Sequence, residues 1–170
     1  MKNTSESPVS LAHQLKILGL SWLTMIGFDF LLHGGILAGI YTQDSPFLLD
    51  LQSAFYYIPI GYLSFLLLSI LLYWLQIQLD IRTMIDGLKF GLVTGLLIWG
   101  SFMMGLFSIA TAPLNLLIGW FLGQSLEMAI GAGVIGACLE HNDLKTVGKW
   151  VGIIVFFCLV LGIILQNIIS

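Results

Sequence analysis

The sequence predicts an all-α membrane protein, a bundle of five transmembrane helices, from two observations. Of its 170 residues, 58% are hydrophobic and only 9% are charged, whereas a soluble globular domain has about 25% charged residues. The apolar residues also form stretches of about 20, the length that a helix needs to cross a hydrocarbon core about 30 Å thick. Because lipid offers no partner for backbone amides, we expect each stretch to be helical.

Five stretches meet this length requirement, and they follow a polar N-terminal segment of residues 1–14. The predicted spans are residues 15–41, 58–77, 85–112, 113–139 and 147–168. The third and fourth spans meet at Ala112 and Pro113. Proline disfavours a helical residue before it and fits the first turn of a new helix, so a tight hairpin is predicted at this point.

The connection between the first two spans contains a candidate interfacial helix at residues 46–56. Ser45 and Pro46 suit the N-cap and the first position of a helix. Phe47, Leu48, Leu51 and Phe55 could then form an apolar face lying in the outer interface of the membrane. A loop packed over the bundle is the alternative.

The positive charges predict the orientation of the bundle. There are six of them, and in a five-span chain all lie on one side: Lys2, Lys16, Arg82, Lys89, Lys145 and Lys149. The positive-inside rule therefore places the N-terminus in the cytoplasm and the C-terminus outside. We expect a multi-pass protein of a bacterial cytoplasmic membrane. A formal net charge of -3 provides too little positive charge for a nucleic-acid partner.

Small residues predict where two helices pack closely. Glycines recur at intervals of four or eight along spans three and four: Gly87, Gly91 and Gly95, then Gly119, Gly123 and Gly131. Such rows let another helix backbone approach, which is a main driver of helix association in lipid. Spans three and four are therefore predicted to pack against each other. The tryptophans and Tyr41 are interpreted as an aromatic belt at the membrane interface.

Two acidic residues lie inside predicted spans, where water does not solvate their charges. Asp29 is in the middle of the first span and Glu127 in the middle of the fourth. A charge at the centre of a bilayer costs at least about 2.5–3.5 kcal/mol on insertion scales. His33 follows Asp29 by four residues and Gln124 precedes Glu127 by three, and both spacings place the two side chains on one helix face.

The depths of the two acids match. At about 1.5 Å per residue, Asp29 lies roughly 18 Å and Glu127 roughly 21 Å from the same end of its span. We therefore expect the first and fourth spans to meet, so that Asp29, His33, Gln124 and Glu127 form one buried polar cluster that binds a proton, a cation or a ligand.

Three functions are compatible with such a cluster. It could serve a small proton- or cation-coupled transporter or transporter subunit. It could instead only lock helices together in a structural or accessory subunit. Thirdly, His33, Asp29 and Glu127 are candidate ligands for a metal in a membrane enzyme, although the sequence lacks H-E-x-x-H and G-x-S-x-G motifs. No catalytic residue is assigned, and the cofactor is unknown. Expected partners are the lipid bilayer and either further copies of the chain or a larger membrane complex.

Overall fold

The computed structural model describes residues 10–43, 45–141 and 143–169, and these residues are all-α. Lys2 and most of the N-terminal segment 1–14 lie outside the described residues. The helices are α1 (Leu11–Asp29), a π-helical segment (Phe30–Ile36), α2 (Ala38–Tyr41), α3 (Leu51–Gln78), α4 (Met84–Ile109), α5 (Leu114–Glu140) and α6 (Leu144–Ile169).

Five helical stretches of the described chain are long and apolar enough to cross a membrane. They are Leu11–Ile36, Gln52–Gln78, Met84–Ile109, Leu114–Glu140 and Leu144–Ile168. The predicted all-α fold with five long apolar helices is thereby confirmed. The first helix starts earlier than its apolar stretch because Ser10 caps it, with its side-chain oxygen accepting the His13 backbone N–H.

The second span differs from the prediction at its start. Among the described residues there is no separate helix at 46–56: residues 45–50 are irregular, and α3 runs without interruption from Leu51. The Ser45 side chain accepts the Phe47 N–H in a local turn, whereas Asp50 is the N-cap and accepts the Ser53 N–H at 2.9 Å. Aspartate caps a helix as well as serine does, so the helix begins at the later of two suitable positions.

Short turns make neighbouring helices antiparallel and give the bundle two distinct ends. The Arg82 end contains the start of α1, the turn 79–83 and the end of α5 with the start of α6, and the five described Lys and Arg residues lie toward it. The Pro113 end contains the end of α2 with the start of α3 and the turn 110–113, where α4 ends at Ile109 and Pro113 is the N-cap of α5. This turn coincides with the predicted hairpin.

Helix α5 is the centre of the bundle. In its 18-residue apolar stretch 78% of the residues are buried, compared with 17% in the corresponding stretches of α3 and α6 and 11% in that of α4. It packs against α4 on one face and against α1 and α3 on others, while α6 packs mainly on α1 and the π-helical segment. Three of the five long helices therefore present most of their apolar surface outward, as expected in lipid.

The glycines of α4 form a close seam with α5. A Cβ at Gly87 would lie 2.5 Å from the Ala132 carbonyl oxygen, and one at Gly95 would lie 2.8 Å from the Ser125 Cα. We call Gly87, Gly91 and Gly95, with the α5 backbone they contact, the glycine seam. Spans three and four thus pack at close range.

Matching glycine rows on α4 and α5 suggest that the two rows contact each other. The row of α5 instead faces the first span. Added Cβ atoms at Gly119, Gly123 and Gly131 would meet Leu37, Leu32 and Met25 respectively, all in the first span or directly after it. Because α5 is central, it presents small residues to helices on two sides. The glycines of α4 admit α5, and those of α5 admit side chains of the first span.

Candidate functional site

The chain changes its helical geometry where the intramembrane polar residues begin. Helix α1 ends at Asp29 and continues as a π-helix through Ile36, and the Leu37 N–H donates to the Leu32 carbonyl at 2.8 Å, a spacing of five residues. Such segments are rare and frequently occur at functional sites. The π-helical segment carries His33, whose Nε2 lies 3.2 Å from Asp29 Oδ1.

Helix α5 contributes the second half of the cluster. Gln124 Nε2 lies 3.1 Å from His33 Nε2, so the same ring nitrogen faces both the aspartate and the amide. The structure therefore brings Asp29, His33 and Gln124 into direct contact between the first and fourth spans. These residues and Glu127 are called the polar cluster below.

Two further residues contact the other side of the histidine ring. The Tyr41 hydroxyl hydrogen-bonds His33 Nδ1, and the Trp120 indole N–H donates to the Tyr41 oxygen. Phe47 of the irregular segment lies against Trp120, with ring centroids 6.2 Å apart. Interpreting Tyr41 and Trp120 only as belt residues missed these contacts. The signal was the spacing, because Trp120 precedes Gln124 by one helical turn.

Glu127 is the most enclosed member of the cluster. Its side chain is 0% exposed, and among the described residues neither carboxyl oxygen has a hydrogen-bond partner. It lies beside Gln124 without hydrogen-bond geometry and close enough to Asp29 for the two carboxyls to interact electrostatically. A buried carboxyl without a hydrogen bond is costly whether it is ionised or neutral.

The other members of the cluster are more accessible. The Asp29 side chain is 14% exposed and that of His33 is 26% exposed. The cluster thus has a closed side at Glu127 and a partly open side at the π-helical segment.

Polar side chains of α3 bind the bundle together nearer the Arg82 end. The Gln76 side-chain N–H donates to the Ala132 carbonyl at 3.0 Å. The Ser21 hydroxyl lies 3.1 Å from the Gly131 carbonyl oxygen and 3.3 Å from the Ser69 hydroxyl. Sequence reasoning did not single out Ser69 and Gln76, although their spacing of seven places both on one face of α3.

The geometry does not favour the metal site. Within the described ranges, no group of three His, Cys, Asp or Glu side chains is arranged to hold a metal ion. His33 and Asp29 are in contact, but Glu127 does not complete a ligand set with them. The candidate ligands therefore supply at most two neighbouring donors, fewer than the three protein ligands of a typical catalytic zinc site.

Comparison of the chain with protein-family models, with curated proteins and with solved structures finds no match.

Proposed function

We propose that the protein is a proton-coupled membrane transporter, or a subunit of one, in which the polar cluster takes up and releases the coupling proton. The observation that carries the proposal is the carboxyl of Glu127, fully buried and without a hydrogen-bond partner among the described residues. Ionisable groups inside a membrane bundle commonly mark proton or ion paths.

The two sides of the cluster suit different steps of proton transfer. An ionised Glu127 would be a buried charge without compensation, so its carboxyl holds a proton unless a cation lies beside it. Asp29 is partly exposed and in contact with His33, so its carboxyl can exchange a proton through the open side of the cluster. In this scheme Asp29, with His33 beside it, receives the proton and Glu127 stores it.

The proposal also specifies which end of the bundle faces the cytoplasm and which membrane contains the protein. The described Lys and Arg residues lie toward the Arg82 end, which supports a cytoplasmic Arg82 end and an outer Pro113 end by the positive-inside rule. The polar cluster adjoins Tyr41 and Trp120, close to the Pro113 end. Protons would then reach it from outside a bacterial cytoplasmic membrane.

A structural lock between α1 and α5 is the second candidate. It is favoured by the contacts of His33 with Asp29 and Gln124, which join the two helices. Interhelical polar contacts do stabilise membrane bundles. This candidate gives no role to Glu127, since a carboxyl without a hydrogen bond holds no helix in place.

Proton flux into proteoliposomes tests the proposal. The purified chain is reconstituted with a pH-sensitive dye inside, and a potassium diffusion potential drives protons inward. We expect influx above that of empty vesicles, abolished by Asp29→Asn and by Glu127→Gln. Asp80→Asn is the matched control because Asp80 lies in an exposed turn and pairs only with Arg82 in the contacts described; it should retain the flux.

Two results would contradict the proposal. One is a flux in the wild type no greater than in empty vesicles. The other is an undiminished flux in the Asp29→Asn, Glu127→Gln double variant.

A further inference from the structure

We infer that Tyr41 and Trp120 are positioning residues that hold His33 as the neutral tautomer with its proton on Nε2, on the side of the ring that faces Asp29 and Gln124. The consequence for transport rests on the proposed function, whereas the tautomer itself follows from the hydrogen-bond geometry. Neither residue belongs to the polar cluster, and both act through the histidine.

The direction of the hydrogen bonds is set at the tryptophan. An indole N–H only donates, so the Tyr41 oxygen accepts from Trp120. The hydroxyl hydrogen of Tyr41 must then be directed elsewhere, and His33 Nδ1 is the acceptor placed against it. A ring nitrogen that accepts carries no hydrogen, and in a neutral imidazole the hydrogen is then on the other nitrogen.

The surroundings of Nε2 agree with this assignment. Nε2 lies 3.2 Å from Asp29 Oδ1, where a hydrogen on the ring nitrogen is attracted to a carboxylate and a lone pair is repelled by it. In the opposite tautomer the Nε2 lone pair would face the carboxylate oxygen, and Tyr41 would accept two hydrogens while its own had no acceptor in this arrangement. The Nε2–H tautomer satisfies both sides of the ring.

The assignment also fixes the amide of Gln124. Nitrogen and oxygen of a glutamine amide are assigned from the hydrogen-bond network. The structure has the Gln124 nitrogen 3.1 Å from His33 Nε2, so the Nε2–H tautomer requires the reverse orientation, with the amide oxygen at this position and the NH₂ group turned away from the ring. Tyr41 and Trp120 thereby also orient a side chain of α5 that neither one touches in the contacts above.

The arrangement leaves proton uptake in the cluster to Asp29 rather than to His33. The chain of hydrogen bonds ends at Trp120, because an indole N–H has no lone pair with which to accept a proton. A proton therefore cannot pass from Tyr41 outward through Trp120. Because Nε2 already carries a hydrogen and Nδ1 accepts the Tyr41 hydroxyl, neutral His33 has no free lone pair for a further proton, and the neighbouring carboxyl of Asp29 is the group that takes it up. Tyr41 fixes the ring and does not relay protons.

Nitrogen-15 NMR of the ring tests the inference without any transport assay. The full chain is labelled with ¹⁵N-histidine and placed in lipid nanodiscs, and the His33 signals are identified by their loss in His33→Gln. We expect the wild type to show a protonated Nε2 and a bare Nδ1. Tyr41→Phe removes only the hydroxyl, and both tautomers should then be populated. Trp120→Phe should produce a smaller mixture.

Tyr57→Phe is the matched control, since Tyr57 is 56% exposed on α3 and its hydroxyl loss should leave the His33 spectrum unchanged. A wild-type spectrum of the Nδ1–H form overturns the inference. So does a Tyr41→Phe spectrum that still shows the pure Nε2–H form, and Trp120→Phe provides the same decision if Tyr41→Phe does not fold.

The transport consequence is measured separately. If only the Nε2–H form is productive, equal population of the two tautomers in Tyr41→Phe lowers the proton flux about twofold, in proportion to the competent fraction. A spectrum as expected with no flux in the wild type contradicts the proposed function and leaves the tautomer assignment standing. If the wild type shows proton flux but the Tyr41→Phe spectrum is unchanged, the tautomer assignment is contradicted and the proposed function stands.

Discussion

The glycine seam and the polar cluster both involve α5, on different faces, and they differ in how completely their groups are satisfied. In the seam, α4 and α5 approach so closely that a single added carbon would meet the backbone of the other helix. In the polar cluster, a fully buried carboxyl lies without a hydrogen-bond partner among the described residues. The glycine seam has no space for an added carbon atom, whereas the polar cluster contains a carboxyl that costs stability.

This difference separates a packing role from a chemical one. Interfaces that only hold helices together gain from dense contact and from satisfied polar groups. A buried polar group without a partner needs an explanation other than stability, and ionisable residues inside a membrane bundle commonly have a functional one. The comparison predicts opposite responses to substitution in the two regions.

The largest effect is expected in the seam. A Cβ added by Gly91→Ala would lie 2.6 Å from the Ala132 Cβ and 2.8 Å from the Ala129 Cα, forcing the helices apart. We expect a loss of about 3 kcal/mol in the free energy of unfolding, the upper part of the usual overpacking range. Unfolding in mixed micelles with rising SDS fraction measures it.

Gly105→Ala is the control for this substitution, because nothing lies within 4 Å of a Cβ at Gly105. It reports the intrinsic effect of exchanging glycine for alanine in α4. Equal stability of the two variants would mean that α4 and α5 are not in close contact.

A stabilising effect is expected in the cluster. Glu127→Met replaces the carboxyl by an unbranched apolar side chain, which removes a buried group that lacks a hydrogen bond. We expect the free energy of unfolding to rise by about 2 kcal/mol, while proton flux is lost. The same micelle titration measures the stability. A drop in stability would assign Glu127 to the structural lock and would erase the contrast between the two regions.

The fold was largely predictable, because long apolar stretches in lipid have few alternatives to helices. The contact of Asp29 with His33 was predictable too, since a spacing of four fixes it within one helix. Matched depth indicated that α1 and α5 would meet. These predictions depend on distance along the chain, which the sequence contains directly.

The parts that were missed depend on rotation about the helix axis. Tyr41 lies beyond a π-helical segment, where the turn is wider and the usual periodicity no longer tells which face a residue occupies. The α5 glycines could equally have faced α4 or the first span. Only the packing of the whole bundle decides which neighbour fills each groove.

A smaller effect is expected from the interhelical hydroxyl of Ser21. This buried group contacts the Gly131 carbonyl and Ser69, and such bonds in membrane proteins average about 0.6 kcal/mol. Ser21→Ala should lower the free energy of unfolding by about that amount. Ser64→Ala should lower it less, because the Ser64 hydroxyl is exposed and bonds only within its own helix, to Gly61. A gain in stability for Ser21→Ala would mean that the Ser21 hydroxyl, like the Glu127 carboxyl, costs stability.

The smallest effect is expected at Asp143, an acid that is exposed and hydrogen-bonded, whereas Glu127 is buried and has no hydrogen-bond partner among the described residues. Asp143 caps α6, accepting the Thr146 hydroxyl at 2.6 Å and the Lys145 N–H at 3.0 Å. These bonds to the ionised form, that from the Thr146 side chain first, lower the pKa of Asp143 below its ordinary 3.8. The stability that the cap contributes is therefore complete above pH 3.8 and is lost as the pH falls through the lower pKa of the folded state.

The Thr146 amide shift, followed by NMR in nanodiscs during acid titration, should show a titration midpoint below that of an unstructured aspartate. Asp143→Asn keeps an acceptor oxygen without a titrating group, so its amide shift should not follow the same curve. A wild-type midpoint at or above the ordinary value would mean that the capping bonds do not favour the carboxylate, and the contrast between a satisfied and an unsatisfied acid would fail at its satisfied member.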